Sequence, residues 1–439
     1  MRMRQEGKAG WAGWAGWVCF FFIIFLPAFP ASPARPAHAQ ISFEEAVAGL
    51  SSKDAKVRLH SAALLRESGY VESAIPLAKL VSDPDNAVQV EAIAAELAIF
   101  TGGRGGPKRV GIVTIEDRSR PIAQQVFEEG PLVIGATPVP PTVLLVLRLA
   151  MLDDSAQVCG EAIYAFGSLA PALSGRARRD LLQSSQSDLA LALTLANPAL
   201  RLAAVRAIGR VYERRPGDPP IDEKLGNALI SAVNEPDRAM KFAAMDTLGA
   251  IRERRAVGGL TQLFDFYGDG DLGQAALGAL ARIGDKSSVP LFLKVLSQKS
   301  AGLKTLAIEG LARTGDAAHI PAIQDAINRE RDDRVFDAGV FAAAMLINGS
   351  IERLVDGLNR PKAHDTSRGY LVEVVRGRTA ILSKYAQDPS PRMRMDLADI
   401  IALADDPRGL PVVTPLVSDM DKAVAASAQR TVAWLKAER

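Results

Sequence analysis

The feature that most constrains the fold is a segment that recurs at a fixed spacing. The stretch "ALARIGDKSSVPLFLKVL" begins at Ala279, and "GLARTGDAAHIPAIQDAI" begins at Gly310, 31 residues later. Both contain Leu-Ala-Arg, a Gly-Asp pair, a proline and an apolar run. A constant period of this length is typical of proteins built from stacked supersecondary units, because each unit buries its apolar face only against its neighbours.

Ten copies of this pattern follow one another along the chain. An apolar residue, here called the anchor, marks the same place in each copy: Val57, Val88, Val158, Leu200, Met240, Leu272, Leu303, Val335, Met393 and Val424. The residue four positions later is small in every copy except the one with Leu397, and the residue eight positions later is apolar except at Glu96 and Ala343. These spacings place the three positions on one buried face of a helix.

Each anchor also predicts where its helix begins. The residue three positions earlier can always accept a hydrogen bond from a free backbone N–H at a helix start. These predicted caps are Asp54, Asp85, Ser155, Asn197, Asp237, Asp269, Ser300, Asp332, Ser390 and Asp421. Pro198 and Pro391 follow two of the caps directly, at the first helical position, where proline is tolerated.

A second apolar run follows each capped helix after a short turn. Proline opens this run at Pro76, Pro290, Pro321 and Pro411. Each unit is therefore predicted to be an antiparallel helical hairpin, helix A and then helix B. We expect an all-α fold, a right-handed α-solenoid of about ten stacked hairpins, because an ordinary helical bundle would not explain the constant interval.

The most regular copies resemble a known family. "DAKVRLHSAALL" from Asp54 and "NPALRLAAVRAIG" from Asn197 resemble the short HEAT repeat, of the type also found in phycobilisome lyases. A basic residue follows the anchor in five copies, at Arg58, Arg201, Lys241, Lys304 and Arg394. The resemblance covers nearly all of residues 50–436 and implies a protein-binding surface. Its subclass implies, as an alternative, a bilin-lyase-like enzyme or a chromophore-binding protein.

The longest break in the period is a predicted insertion of residues 101–141 in the A–B turn of the second repeat. Its segments "RVGIVTIE" and "GPLVIGA" predict two short strands that could form a small β-hairpin. Loops of this length are usually functional or disordered, so a docking role and a structural role both remain open. The candidate partner-binding residues here are Arg109, Glu116, Asp117 and Arg118.

The other breaks are shorter. Longer A–B connections are predicted near residues 171–180 and 214–223, and an extra helical segment covers 359–390, with a helix near Tyr370–Ala386. A basic cluster in this last segment is a further candidate for partner binding, although a solvated face would show the same composition. It consists of Arg368, Arg376 and Arg378.

The first 39 residues predict a secretory signal peptide. They combine the basic start "MRMRQEGK", an apolar run and the cleavage pattern Ala37-His38-Ala39. The alternative is an uncleaved membrane anchor. With cleavage before Gln40, residues 40–439 form the solenoid, and the protein is exported to the periplasm or beyond, with no transmembrane segment in the mature chain.

The remaining composition narrows the function class. Without residues 1–39, the chain carries 48 basic and 49 acidic residues, which argues against a general nucleic-acid binder. The sequence contains neither a nucleophile elbow nor a phosphate-binding or metal-ligand motif, so we expect no metal, no cofactor and no enzymatic activity. We therefore expect an exported scaffold that binds proteins through the B helices or the insertion, with envelope complex assembly as a special case.

Overall fold

The structure is a computed structural model that describes residues 42–101, 108–110, 113–115, 121–130 and 138–437. The predicted signal peptide and Glu116, Asp117 and Arg118 lie outside the described residues. From Phe43 onward the described helices belong to one structural unit.

The described residues form a layered array of helices. The α-helices are α1 Phe43–Gly49, α2 Ala55–Ser68, α3 Ala74–Ala78, α4 Asn86–Thr101, α5 Ile122–Glu128, α6 Pro141–Ala150, α7 Ala156–Leu169, α8 Gly175–Ser184, α9 Gln186–Ala192, α10 Pro198–Val211, α11 Glu223–Ala232, α12 Arg238–Ala250, α13 Val257–Tyr267, α14 Asp271–Ile283, α15 Val289–Leu296, α16 Ala301–Thr314, α17 Ile320–Asn328, α18 Asp333–Ile347, α19 Glu352–Gly357, α20 His364–Val374, α21 Pro391–Ala404, α22 Leu410–Val413 and α23 Lys422–Lys436. Short 3-10 helices are Val71–Ser73, Lys79–Ser82, Ala170–Ala172, Arg254–Ala256, Lys286–Ser288, Ala317–His319, Thr379–Tyr385, Pro407–Gly409 and Thr414–Ser418.

The A helices pack directly on one another and form one continuous layer. In chain order these helices are α2, α4, α7, α10, α12, α14, α16, α18, α20, α21 and α23. The B helices form a second layer, and each packs on the A helix that follows it in the chain, as α13 does on α14 and α15 on α16. The predicted all-α solenoid is confirmed.

Nine of the ten predicted caps are helix caps. The side chains of Asp54 and Ser390, for example, accept hydrogen bonds from backbone N–H groups in the first turns of α2 and α21. The prediction for Asp269 is wrong. The backbone turns at Gly268 with a φ of 60°, so α14 begins at Asp271 and Gly270 takes the cap position.

The anchors lie in the core, with one exception. Seven of them are almost completely buried, and Leu200 and Leu272 are partly buried. Val57 is 43% exposed, so the expectation of burial is wrong there. Among the described residues, the helix before this first repeat is the short α1, and its seven residues do not cover the start of α2 as a full A helix would.

The basic residue after the anchor joins successive repeats. Its partner is an acidic residue five positions before the next anchor, an arrangement that we call the inter-repeat clamp. The clamps are Arg58–Asp83 at 2.7 Å, Arg201–Glu235 at 2.9 Å, Lys304–Glu330 at 2.9 Å and Arg394–Asp419 at 2.7 Å. Gln89 makes the equivalent bond to Asp153 at 3.1 Å. The position after the anchor therefore joins one repeat to the next at these five junctions, whereas Lys241 donates to the Val233 carbonyl.

Small residues near the ends of the A helices allow very close helix packing. A Cβ atom at Gly249 would lie 3.0 Å from the Cα atom of Ala279 in the next A helix, and one at Gly209 would lie 3.3 Å from the Cα atom of Thr247. Glycine or alanine stands nine residues after the anchor in eight successive copies: Gly167, Gly209, Gly249, Ala281, Ala312, Ala344, Ala402 and Ala433. The C-terminal ends of the A helices therefore converge.

This convergence brings distant repeats into contact. Glu373 of α20 binds Arg313 at 2.8 Å and Arg252 at 3.4 Å, although Arg252 follows α12. The hydroxyl of Tyr370 donates to Glu309, which also pairs with Arg313. We call these five residues the hub. The charges of Glu373 and Glu309 outweigh burial and hold the pKa of Arg313 above its usual range.

The extra segment 359–390 contains an additional repeat unit. Helix α20 lies between α18 and α21 and contacts both, as an A helix does. The 3-10 helix Thr379–Tyr385 packs on α21 and α22 in the place of a B helix. The predicted helix near Tyr370–Ala386 is therefore wrong in its bounds, since α20 ends at Val374 and the chain turns at Gly377 with a φ of 84°.

The predicted insertion lies between α4, which ends at Thr101, and α6, which begins at Pro141. Its hairpin is confirmed, but both strands lie in the first predicted segment, β1 at Lys108–Val110 and β2 at Val113–Ile115, paired antiparallel. Most of the second predicted strand lies outside the described residues. Within the described ranges, none of the helices has the length and apolar character needed to cross a bilayer.

Candidate functional site

The insertion contains a helix, α5, that the sequence did not predict and that lies on the A-helix layer. The carboxylate of Glu161 on α7 accepts hydrogen bonds from the backbone N–H groups of Ile122 at 3.0 Å and Ala123 at 2.7 Å. An acidic group at a helix N-terminus is stabilised by the free N–H groups there. Burial raises the pKa of Glu161, and these two bonds act against that rise.

Helix α5 covers the outer face of α7. Its residues Ala123, Val126 and Phe127 are buried, and the Phe127 ring lies 5.3 Å from the Tyr164 ring. A Cβ atom at Gly167 would lie 2.8 Å from the Phe127 ring, so this glycine makes room for the aromatic side chain. With α5 packed on it, α7 is buried at every residue from Val158 to Leu169.

A groove opens where α5 ends. It has a volume of about 740 Å³ and runs along the exposed faces of α10, α12 and α14. Its lining residues are Phe127, Leu202, Arg206, Arg210, Ala239, Phe242, Ala243, Asp246, Thr247, Ala275, Gly278, Ala279 and Arg282. Small side chains form the floor, while aromatic and charged side chains form the walls. The groove therefore offers an apolar floor between two polar rims.

Two arginines one turn apart on α10 form the first wall. The Arg210 guanidinium lies 3.5 Å from the centre of the Phe127 ring and donates to the Phe127 carbonyl at 2.7 Å. Arg206 lies 5.5 Å from the same ring and 3.5 Å from Glu128. Burial, followed by the nearby charge of Arg206, lowers the pKa of Arg210 to about 10. The two guanidinium groups thus concentrate positive charge at one end of the groove.

The opposite wall comes from α12 and α14. Arg282 pairs with Asp246 across the space between these helices. Phe242 lies next to them, and the Arg238 guanidinium is 5.2 Å from the centre of its ring. Arg238 itself pairs with Asp271 at 2.6 Å. The lining of the groove therefore has three arginines and one acidic residue.

The predicted basic cluster in the extra segment does not share one set of contacts. Arg378 donates to Asn348 at 2.6 Å and to the Ala344 carbonyl, so it binds the C-terminal end of α18. The charge of Arg376 acts on Glu373 in the hub, and the charge of Arg368 acts on Asp399 of α21. The structure thus directs these three arginines to three different elements.

Arg378 also lines a smaller cavity of about 340 Å³ beside Lys384 and the turn from Asn348 to Ile351. Of the other predicted partner-binding residues, Arg109 lies in β1 opposite Thr114. Neither surface is joined to the groove by a described contact.

A second apolar surface lies on the B-helix layer. Leu145, Leu149 and Leu152 follow one face of α6 and its end, and they are 46%, 60% and 38% exposed. The sequence predicts binding through the B helices, through the insertion, or through both. The structure therefore presents two surfaces, the groove on the A helices and this leucine stripe on α6.

Cys159 and the possible metal ligands are the remaining candidates for chemistry in the described region. Cys159 is fully buried and donates to the Met151 carbonyl at 2.9 Å. Burial raises the pKa of its thiol to about 11, which disfavours the reactive thiolate. Among the described residues, no three His, Cys, Asp or Glu side chains are placed together as a metal ion would require.

Comparison with known proteins agrees with this architecture. Residues 267–344 match the family model for HEAT repeats. Residues 267–344 are therefore HEAT repeats. The matched segment contains α14, α15, α16, α17 and most of α18, and further helical hairpins continue on both sides of it. No curated protein matches the sequence.

Solved structures similar to this chain include engineered proteins. One, an engineered protein from the Northeast Structural Genomics Consortium, is 19% identical, with a TM-score of 0.42, over 90% of this chain and 98% of its own. A designed armadillo repeat protein is 18% identical, with a TM-score of 0.35, over 62% of this chain and 99% of its own. These likenesses are too distant to indicate a function.

Proposed function

We propose that this protein is a non-enzymatic scaffold that binds a protein partner in the groove on α10, α12 and α14. The observation that carries the proposal is the lining of the groove. Phe127 and Phe242 stand on its walls together with Arg206, Arg210 and Arg282. Aromatic residues and arginine are enriched in the energetically dominant parts of protein interfaces, because they combine a large contact area with directed hydrogen bonds.

The position of the groove supports this role. It lies on rigid helices whose order is fixed by clamps and by close A-helix packing, so the surface needs little reorganisation on binding. Helix α5 supplies one wall, which gives the insertion a place in the binding surface as well as a structural role. The docking role considered for the insertion is thus part of this proposal.

The proposal includes export. The basic start, the apolar run and the Ala37-His38-Ala39 pattern support a cleaved signal peptide, with the mature protein in the periplasm or outside the cell. Assembly of an envelope complex is the special case of this role. Mass spectrometry of the protein purified from its own cells should find Gln40 as the first residue, and an intact N-terminus would contradict export by cleavage.

The alternative, a bilin-lyase-like enzyme or chromophore-binding protein, rests on the repeat resemblance alone. It requires the purified protein to bind a pigment. An absorption spectrum of the protein incubated with free bilin tests this directly, and the absence of a bound chromophore would end the alternative.

A photo-crosslinking experiment tests the proposed groove. A photoreactive amino acid is placed at Ala239, an exposed residue of the groove, and in a matched variant at Leu149 on the α6 stripe. After irradiation of cells that make the protein, we expect a discrete protein adduct at position 239 and none at position 149. Adducts at position 149 alone would indicate that the partner binds the B-helix layer and not the groove.

A further inference from the structure

We propose that the groove binds an acidic segment of the partner, with carboxylates held at the Arg206 and Arg210 wall. This inference rests on the proposed function and specifies the chemistry of the partner. The lining has three arginines and one acidic residue, and Arg282 already pairs with that residue, Asp246. On α10, Arg206 pairs with Glu128 at 3.5 Å, while Arg210 donates to the neutral carbonyl of Phe127.

The arrangement of the two α10 arginines favours an added negative charge. Residues four apart on a helix are neighbours, and like charges in this arrangement repel. The charge of Arg206 acts against that of Arg210, while Glu128 approaches Arg206 no closer than 3.5 Å. A carboxylate placed between the two guanidinium groups would relieve this repulsion and gain charge-assisted hydrogen bonds.

The geometry leaves hydrogen-bonding capacity at this wall. The Arg210 guanidinium lies 3.5 Å from the centre of the Phe127 ring and donates an N–H to the Phe127 carbonyl. A guanidinium carries five N–H donors, so a carboxylate can bind beside this contact. The ring and the carbonyl fix the orientation of Arg210 before the partner arrives, which lowers the entropy cost of binding.

The floor of the groove indicates which other groups of the partner segment bind beside its carboxylates. Ala243, Ala275, Gly278 and Ala279 allow the backbone of a bound segment to approach closely. Apolar side chains of the segment would then lie between Phe127 and Phe242. A segment that alternates acidic and apolar residues fits this lining. A nucleic acid fits less well, because Asp246 lies on the wall and each added phosphate would need its own cation.

Two labelled peptides test the inference on the purified protein. One is a short peptide of alternating glutamate and leucine or alanine, and the other has glutamine in place of every glutamate. Fluorescence anisotropy should show that the acidic peptide binds at least about tenfold more tightly, with an affinity that falls as salt rises. Equal affinity of the two peptides would overturn the inference.

Variants of the protein test whether the Arg206 and Arg210 wall causes the difference in peptide affinity. The double variant Arg206→Gln and Arg210→Gln should lose about tenfold or more in affinity for the acidic peptide. Arg206→Lys with Arg210→Lys keeps the charge and should keep most of the binding, and Arg329→Gln on exposed α17 should change nothing. Undiminished binding by the folded glutamine variant, as judged by circular dichroism, would refute the proposed wall.

The outcomes separate the inference from the proposed function. If the crosslink at Ala239 forms but both peptides bind equally, the groove binds a protein and the inference about charge is wrong. If no crosslink forms and neither peptide binds, the proposed function itself fails. Tighter binding of a single-stranded oligonucleotide than of the acidic peptide, lost in the glutamine variant, would also overturn the inference in favour of nucleic acid.

Discussion

A single buried carboxyl group departs from the repeat pattern in the second A helix. Glu96 stands eight residues after its anchor, where eight of the ten copies have an apolar residue. Its side chain is fully buried, and neither carboxyl oxygen has a hydrogen-bond partner. Burial raises the pKa of Glu96 well above its ordinary value of 4.5, because the charged form loses its hydration. The buried Glu96 carboxyl group therefore lowers the free energy of unfolding.

Replacing Glu96 by leucine should stabilise the protein. An unsatisfied buried polar group costs about 1–3 kcal/mol, so Glu96→Leu should raise the free energy of unfolding by about this amount. At a pH below the ordinary pKa of glutamate, the Glu96 carboxyl group is protonated in both the folded and the unfolded state. As the pH rises above it, the unfolded state loses its proton first, and the wild-type fold loses stability relative to the variant.

Urea denaturation of wild type and Glu96→Leu at about pH 4 and about pH 8 measures this difference. Glu96→Gln serves as the control, because it keeps a polar group and should abolish the pH dependence. A stability difference that does not grow with pH would contradict the assignment of a buried, unpaired carboxyl.

At the scale of elements, local patterns predicted the hairpins and missed the helix that shapes the groove. Helix caps and anchors lie within one turn of each other, so the start of each A helix can be predicted from neighbouring residues. Helix α5 has no such signal, since Pro121 precedes it and its N–H partner is Glu161, 38 residues further along the chain. The sequence signal that does exist is indirect. From Val158 to Leu169, Glu161 is the single charged residue of α7, and this composition indicates a helix that is covered on several faces.

The longer A–B connections were predicted, but their contact with each other was not. Arg178 of α8 binds Asp218 of the next connection through two bonds of 2.9 Å, and both side chains are almost fully buried. Removing one partner of a buried ion pair leaves an uncompensated charge and typically costs about 3–5 kcal/mol. Arg178→Met should therefore lower the free energy of unfolding by about this amount.

Chemical denaturation measures the loss in Arg178→Met. The double variant Arg178→Met and Asp218→Leu is the control, since it removes the unpaired charge and should recover much of the stability. Equal losses in the single and double variants would show that packing, and not the buried charge, accounts for the effect.

The fit between α5 and α7 predicts the effect of a side chain at Gly167. A Cβ atom there would overlap the Phe127 ring and the backbone of Ala207, so Gly167→Val should displace α5 and cost about 1–3 kcal/mol. Hydrogen exchange should become faster in Ile122–Glu128 than in the rest of the A-helix layer. Gly258→Val is the matched control, because a Cβ atom there meets nothing within 4 Å. Equal effects of the two substitutions would contradict the close fit.

At the scale of the molecule, the stack of A helices is curved, so that repeats far apart in the sequence are in contact. Each close approach of two A helices adds a small rotation, and glycine or alanine nine residues after the anchor permits it in eight successive repeats. The sequence shows this row of small residues, but the curvature depends on the sum of many small angles and cannot be derived from any one of them. The resulting contacts, such as Arg252–Glu373 at 3.4 Å, lie 121 residues apart in the sequence.

Trp434, in the last described helix α23, can be used to measure whether distant repeats remain in contact. Trp434 of α23 donates to Asp405 at 3.1 Å, and the Arg215 guanidinium lies 5.3 Å from the centre of its ring. The other three tryptophans are in residues 1–39, so without this segment the protein contains Trp434 alone. Its emission therefore reports on the contact between the connection after α10 and the C-terminal repeat.

Arg215→Met should open this contact, because Arg215 also donates to the carbonyls of Leu173 at 3.1 Å and Pro171 at 2.8 Å. Trp434 should become more accessible to a soluble quencher, and the radius of gyration from X-ray scattering should increase while the helix content stays constant. Arg329→Met, which removes only an exposed pair with Asp325, should change none of these quantities. Unchanged quenching and scattering in Arg215→Met would mean that the convergence of the A helices maintains the closure without this residue.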